Sequence, residues 1–155
     1  MKDPLPRSTA GARVDVARRE LMKAVQAMPD GAKANVLLFQ LQTKRCFDRA
    51  PALSDRSRKE IESFLRATPG ERGNLLDGVL TAVRDDDVDT ICLLSDGAPS
   101  TGEMVDKTRV QAAIRQANRT RKIAIHTIGF GAEKATERSF LEGVAREGGG
   151  RSVFQ

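Results

Sequence analysis

Two apolar patterns alternate along this chain, and their alternation constrains the fold more than any single motif. Short continuous apolar runs occur at Val36-Leu37-Leu38-Phe39, Thr90 to Ser95 and Ile123 to Ile128. Between them, apolar residues recur at every third or fourth position. Side chains of a strand point alternately to its two faces, so a continuous apolar run suits a strand covered on both sides. Recurrence at helical spacing suits a helix that buries one stripe. Together they predict an α/β fold, doubly wound, with a mainly parallel sheet and helices on both faces, in one domain over 1–155.

The punctuation fits this reading. Residues 1–12 are rich in Pro, Ser, Thr and Gly and read as a loop. Val14, Ala17, Leu21, Ala24, Val25 and Met28 mark a helix that stops at Pro29-Asp30-Gly31. Thr43 to Phe47 alternates weakly and is expected as an antiparallel edge strand. Ser54 or Ser57 caps a helix carrying Ile61, Phe64 and Leu65, with Ser57 and Glu60 spaced as a capping box. Thr68-Pro69-Gly70 ends that helix. Another begins near Asn74 and buries Leu75, Leu76, Val79, Leu80 and Val83. Asp85-Asp86-Asp87 reads as a solvated loop before the strand at Thr90. Thr108 with Gln111 is expected to open a helix bearing Val110, Ala113, Ile114 and Ala117. Gly129-Phe130-Gly131 closes a strand. Phe140, Leu141, Val144 and Ala145 form the last helix stripe, and Gly148-Gly149-Gly150 turns the chain into a strand at Ser152 to Phe154.

Composition excludes several classes. Of 155 residues, 39% are hydrophobic, enough for a core. No run approaches the roughly 20 apolar residues of a membrane-spanning helix, so no membrane insertion is expected. Met1 to Pro6 carries no apolar signal-peptide region. The net charge of +5 comes from 26 basic and 21 acidic residues scattered along the chain. With no Trp or Tyr to stack on bases, no nucleic-acid partner is expected. Two cysteines, Cys46 and Cys92, make no disulfide framework, and the free-thiol pattern leans towards a reducing, cytoplasmic setting. Cys92 lies inside an apolar run and reads as a small core residue. One histidine and no CxxC leave no zinc set.

Enzymatic motifs are weak. Ser95, Asp96 and His126 are the residues a small α/β hydrolase would use. However, Leu93 stands where a nucleophile elbow needs Gly, and His126 lies mid-strand, where a satisfied core residue is expected. Gly129-Phe130-Gly131 starts a dinucleotide fingerprint, but Lys134 replaces its third Gly. The chain is therefore expected not to be an enzyme, with the hydrolase as the alternative.

In open α/β sheets, functional groups gather at the carboxyl ends of strands. Here an apolar strand delivers Asp96 to a turn, in Leu93-Leu94-Ser95-Asp96-Gly97-Ala98-Pro99-Ser100. This segment resembles the third metal loop of von Willebrand factor type A (VWA) domains. Ile125 to Gly131 resembles that family's fifth strand and turn. Gly148-Gly149-Gly150-Arg151 and Arg13 to Arg18 match its last strand entry and first helix. The resemblance covers essentially the whole chain and implies a Rossmann-like, non-enzymatic protein-binding module.

It also implies Mg²⁺ at a metal-ion-dependent adhesion site. Such a cation wants about six oxygens, which the family draws from a D-x-S-x-S loop, a Thr and an Asp. Only Asp96 matches. Gly73, in Arg72-Gly73-Asn74-Leu75, stands at the Thr position without a hydroxyl. The D-x-S-x-S motif is absent and would fall, with the family's first strand, immediately upstream of Met1. The expectations are therefore a degenerate or truncated site. Asp96 is a metal ligand only in a complete domain, no cofactor binds the chain as given, and Ser100 stands on the binding rim. The expected partner is a protein that docks through an acidic residue, and metal-independent interaction is the alternative. A lost central strand would remove about five apolar side chains at roughly 1.5–3 kcal/mol each. That is comparable to a whole domain's net stability of about 5–15 kcal/mol. It would also expose two strand edges to self-association.

Overall fold

In the computed structural model, the described residues are 9–67, 73–97, 99–131 and 134–155, with side chains from residue 14 onward. The chain order is α1 (Thr9–Ala27), β1 (Leu37–Phe39), β2 (Thr43–Arg45), α2 (Asp55–Ala67), α3 (Leu75–Val83), β3 (Thr90–Ser95), α4 (Lys107–Asn118), β4 (Ala124–Gly129), α5 (Ala135–Glu147) and β5 (Gly149–Phe154). Each apolar run has become a strand, and each 3.6-residue pattern a helix.

Several boundaries differ from expectation. Residues 9–12 belong to α1 rather than to a loop; Ala10, Ala12 and Arg13 are strong helix formers, and a lone Gly11 costs only about 1 kcal/mol. Residues 1–8 lie outside the described residues, as does the predicted stop at Thr68-Pro69-Gly70. The cap of α2 is Ser54. Its hydroxyl accepts from the Ser57 N–H at 3.3 Å, while the Ser57 hydroxyl accepts from the Ser54 N–H at 2.8 Å. Helix α4 is capped by Asp106, not Thr108, with the carboxylate accepting from the Arg109 N–H at 2.9 Å. A carboxylate there also meets the positive end of the helix dipole. Gly149 and Gly150 lie within β5 rather than before it.

The strands fall into two sets. Strands β3, β4 and β5 are parallel neighbours in that order, while β1 and β2 form a separate antiparallel pair. The Thr43 segment is antiparallel as expected, and no ladder joins β1 to β3, which leaves the two interior strand edges that the family resemblance implied. The core is divided likewise. One cluster gathers Leu75, Val79, Val83, Leu93, Val110, Ile114, Ile125, Phe140, Leu141 and Val144, with Phe39 packed against it. The other gathers Val25, Val36, Leu53, Ile61 and Leu65, with Leu38 against it. Neighbouring residues of a strand face opposite sides. Phe39 therefore meets α3 on one face of β1, and Leu38 meets α1 and α2 on the other.

Helix α3 touches β1, β2 and α4; α4 packs on α5, and α5 packs on β4 and β5. All of these lie on one side of the three-stranded sheet. Among the described residues, no helix packs closely on the opposite side of that sheet. Cys92, read as a core residue from its sequence, is exposed, and Val153 is 53% exposed. The physical reason is that these side chains point away from α3, α4 and α5, and among the described residues no other helix packs closely on them.

Candidate functional site

Because β3, β4 and β5 run parallel, their carboxyl ends meet at one end of the molecule. The chain there is stitched by backbone bonds. The Phe130 N–H donates to the Ser95 carbonyl at 3.0 Å, the Gln155 N–H to Gly129 at 3.0 Å, and the Gly131 N–H to Gln155 at 3.2 Å. The loop after β1 joins the same end through Asn74, whose N–H donates to the Gln40 carbonyl at 2.9 Å. The Asn74 side chain caps α3 by accepting from the Asp77 N–H at 3.1 Å. It also lies so close to Gly102 that a Cβ there would stand 2.6 Å from its Cγ. Asn74 thus ties the loop after β1 to the loop after β3. Asp77 adds a second tie, since the Thr43 N–H and hydroxyl both donate to its Oδ2.

Asp96 sits on this surface and is exposed, as is Ser100. Gly97 follows at φ +142°, a backbone that other residues rarely adopt, and a Cβ there would meet Glu137 of α5 at 2.8 Å. The turn that presents Asp96 therefore requires glycine next to it. The Ser95 hydroxyl is engaged with the Gly97 backbone, accepting from its N–H and donating to its carbonyl, both at 3.2 Å. Ala98 lies outside the described residues, as do Arg72 and the Ala132-Glu133 pair.

The residues present do not fit Mg²⁺. Asp96 is a single exposed carboxylate, and no group of three His, Cys, Asp or Glu side chains stands together among the described residues. Gly73 brings no hydroxyl. Its Cα is pressed against β1, so that a Cβ would fall 2.0 Å from the Phe39 carbonyl oxygen and 2.6 Å from its ring. The close approach of two backbones explains why glycine stands at that position.

The hydrolase residues are not brought together. Register places His126 beside Cys92, three residues before Ser95 along β3, or about 10 Å at strand rise. His126 is satisfied, since its Nδ1 accepts from the Arg151 N–H at 3.1 Å. It lies half-buried on the open side of the sheet rather than in the core, which corrects its reading as a core residue. Cys92 is exposed, but the partial desolvation of its thiol by surrounding atoms still raises its pKa, which disfavours the thiolate a nucleophile would need. Asp85-Asp86-Asp87 is a solvated loop. Asp86 is almost wholly exposed and pairs with Arg121 at 2.7 Å.

Sequence reasoning missed three features of this surface. Leu41, in the β1–β2 turn next to Gln40, is 73% exposed, and Val105, ahead of α4 in the loop that holds Gly102, is 49% exposed. The Thr101 hydroxyl is buried with no hydrogen-bond partner among the described residues. Exposed apolar residues in turns could have been noticed, whereas nothing in the sequence separated Thr101 from its neighbours.

Among the described residues, no helix is long and apolar enough to cross a membrane. No curated protein matches the chain. Solved structures share its fold at low identity. A von Willebrand factor type A protein from Catenulispora acidiphila superimposes with a TM-score of 0.73 at 15% identity, over 92% of this chain and 34% of that one. An aerotolerance-related membrane protein from Bacteroides fragilis gives 0.66 at 15% identity, over 92% and 81%. BatB, a conserved hypothetical protein from Bacteroides thetaiotaomicron, gives 0.63 at 16% identity, over 92% and 80%. This chain thus spans about a third of the first of these structures and about four-fifths of the other two. The family profile described as the von Willebrand factor type A domain matches residues 8–154, and on that match the chain belongs to the von Willebrand factor type A domain family.

Proposed function

We propose that the chain is a non-enzymatic protein-interaction module that binds its partner through the loops at the carboxyl ends of the strands, with no resident metal. One observation carries this reading. The loops after β1 and β3 meet at Asn74, the first exposing Leu41 and the second exposing Asp96, Ser100 and Val105. Apolar side chains held out on an ordered, polar-rimmed surface gain about 1.5–3 kcal/mol each when a partner covers them. The poor fit of Gly73 and Asp96 to Mg²⁺ supports metal-independent binding. Membership of a family that commonly serves as interaction modules supports the class.

The test is retention of cross-linked partner proteins from the source cells by the tagged chain, compared with Leu41→Ser/Val105→Ser and repeated in EDTA. The reading expects the same partner with and without EDTA, and its loss in the double variant. A partner retained equally by the double variant would overturn the surface assignment. A partner released by EDTA would overturn metal independence and return Asp96 to the role of ligand.

A further inference from the structure

The two loops that meet at Asn74 carry opposite charges. The β1–β2 hairpin, residues 37–45, holds Lys44 and Arg45 and no acidic residue. The loop from β3 to α4, residues 96–106, holds Asp96, Glu103 and Asp106 and no basic residue. Lys44, Arg45, Asp96 and Glu103 are all exposed, and none forms an ion pair with another described residue. Two other carboxylates here are already occupied. Asp106 caps α4 through the Arg109 N–H, and Asp77 accepts from the Thr43 N–H and hydroxyl. The next cation along the chain, Lys107, is half-buried in the first turn of α4. The available charges are thus basic on the hairpin and acidic on the β3–α4 loop.

Each loop also carries an exposed apolar residue, Leu41 on the basic one and Val105 on the acidic one. The Gln40 carbonyl, next to Leu41, accepts from the Asn74 N–H, and Gly102, three residues before Val105, lies against the Asn74 side chain. This pattern discriminates among partners. Nucleic acids and anionic membranes present one sign of charge, so phosphates that suit Lys44 and Arg45 would be brought against Asp96 and Glu103. A uniformly acidic or uniformly basic protein surface meets the same conflict. A short segment with an apolar centre, acidic at one end and basic at the other, satisfies both loops. Complementary charges of this kind fix register and suppress wrong partners.

We propose that the partner protein presents to this surface a segment with a few apolar residues flanked by acidic residues on one side and basic residues on the other, the acidic end on Lys44 and Arg45 and the basic end on Asp96 and Glu103. This names the partner's chemistry and rests on the interaction reading above. The net charge of the chain, +5, favours a different ligand. By overall attraction alone, a uniformly acidic segment would bind best. The local pattern and the bulk charge therefore make opposite predictions.

The probes are fluorescein-labelled peptides with the same leucine-valine-leucine centre, each roughly 23 Å long when extended. One carries a pair of glutamates at one end and a pair of lysines at the other, made in both orders. The second carries glutamates at both ends, and the third lysines at both. Anisotropy against the 155-residue chain should rank the better mixed peptide roughly tenfold tighter than either uniform one. That advantage should shrink as salt is raised. Lys44→Glu/Arg45→Glu should move the preference to the lysine peptide, and Asp96→Lys/Glu103→Lys to the glutamate peptide, in proteins whose circular dichroism is native. A glutamate peptide that binds the wild type at least as tightly as the mixed ones would overturn the proposal. So would no saturable binding, or a preference that both charge reversals leave unchanged. The peptide ranking uses the wild-type chain, so it decides the matter even if a variant fails to fold. If these results came with a partner protein that Leu41→Ser/Val105→Ser loses, the loop surface would stand and only its charge pattern would fall. A partner retained by that double variant would remove both.

Discussion

Gly73→Thr would install the hydroxyl that the family's metal loop carries at this position, and the structure predicts that it harms the protein without creating a metal site. The new Cβ would stand 2.0 Å from the Phe39 carbonyl oxygen and 2.6 Å from Cδ2 of its ring. The first neighbour is backbone, so relief requires β1 and α3 to move apart rather than a side chain to rotate. Overpacking of this kind costs about 1–3 kcal/mol. For a domain of this size, each kcal/mol lowers the melting temperature by roughly 2–4 °C. The assay is thermal unfolding followed by circular dichroism, with and without Mg²⁺. The expected result is a lower midpoint for the variant and no shift with Mg²⁺ in either protein. A variant that melts at or above the wild type, and rises further in Mg²⁺, would refute the reasoning. Glycine would then be a replaceable defect in a metal site rather than a packing requirement.

Three further outcomes are expected. Asn118 is 7% exposed, and its side chain pairs with both the N–H and the C=O of Ile123 at 2.8 Å. Asn118→Ala strands two buried backbone groups and should cost about 2–4 kcal/mol in urea unfolding; a loss within experimental error would count against this. Asp77→Ala unties Thr43 from α3 and should speed proteolysis in the β1–β2 turn, and an unchanged cleavage rate would show that the hairpin stands without it. Partial desolvation raises the pKa of Cys46, where Glu60 adds a smaller push, and of Cys92, even though that residue is exposed. Both thiols should therefore alkylate slowly until the pH passes the ordinary thiol range. Since the folded state holds these protons more tightly than the unfolded one, their contribution is full below the ordinary thiol pKa. It is lost as pH rises through the raised values. Alkylation of the native protein that follows the profile of a free thiol would contradict this.

The class of fold was legible because it depends on periodicity. Val36 to Phe39, Thr90 to Ser95 and Ile123 to Ile128 each name a strand, and the stripe from Leu75 to Val83 names a helix. The divided sheet was legible only as an expectation drawn from the family resemblance, since no residue of β1 or β3 announces an unpaired edge. Cys92 illustrates the limit. Its apolar neighbours suggested burial, but exposure is decided by what covers the strand, and that is a tertiary fact. His126 misled in the same way. At the carboxyl ends, Asp96 could be read from the turn around it. Asn74 could not, because its importance lies in contacts with Gln40 and Gly102 that are distant in sequence. Gly73 was legible as a missing hydroxyl, whereas the reason for it, the Phe39 carbonyl against its Cα, belongs to packing.

Amide hydrogen exchange along β3 of the 155-residue chain tests the division into two sheets, on which the description of its surfaces rests, most directly. The account predicts alternation in the isolated chain. The amides of Ile91, Leu93 and Ser95, turned to β4, exchange slowly, while those of Thr90, Cys92 and Leu94, turned away from β4, exchange fast. Uniformly slow exchange from Thr90 to Ser95 would contradict it, because β3 would then be paired on both sides.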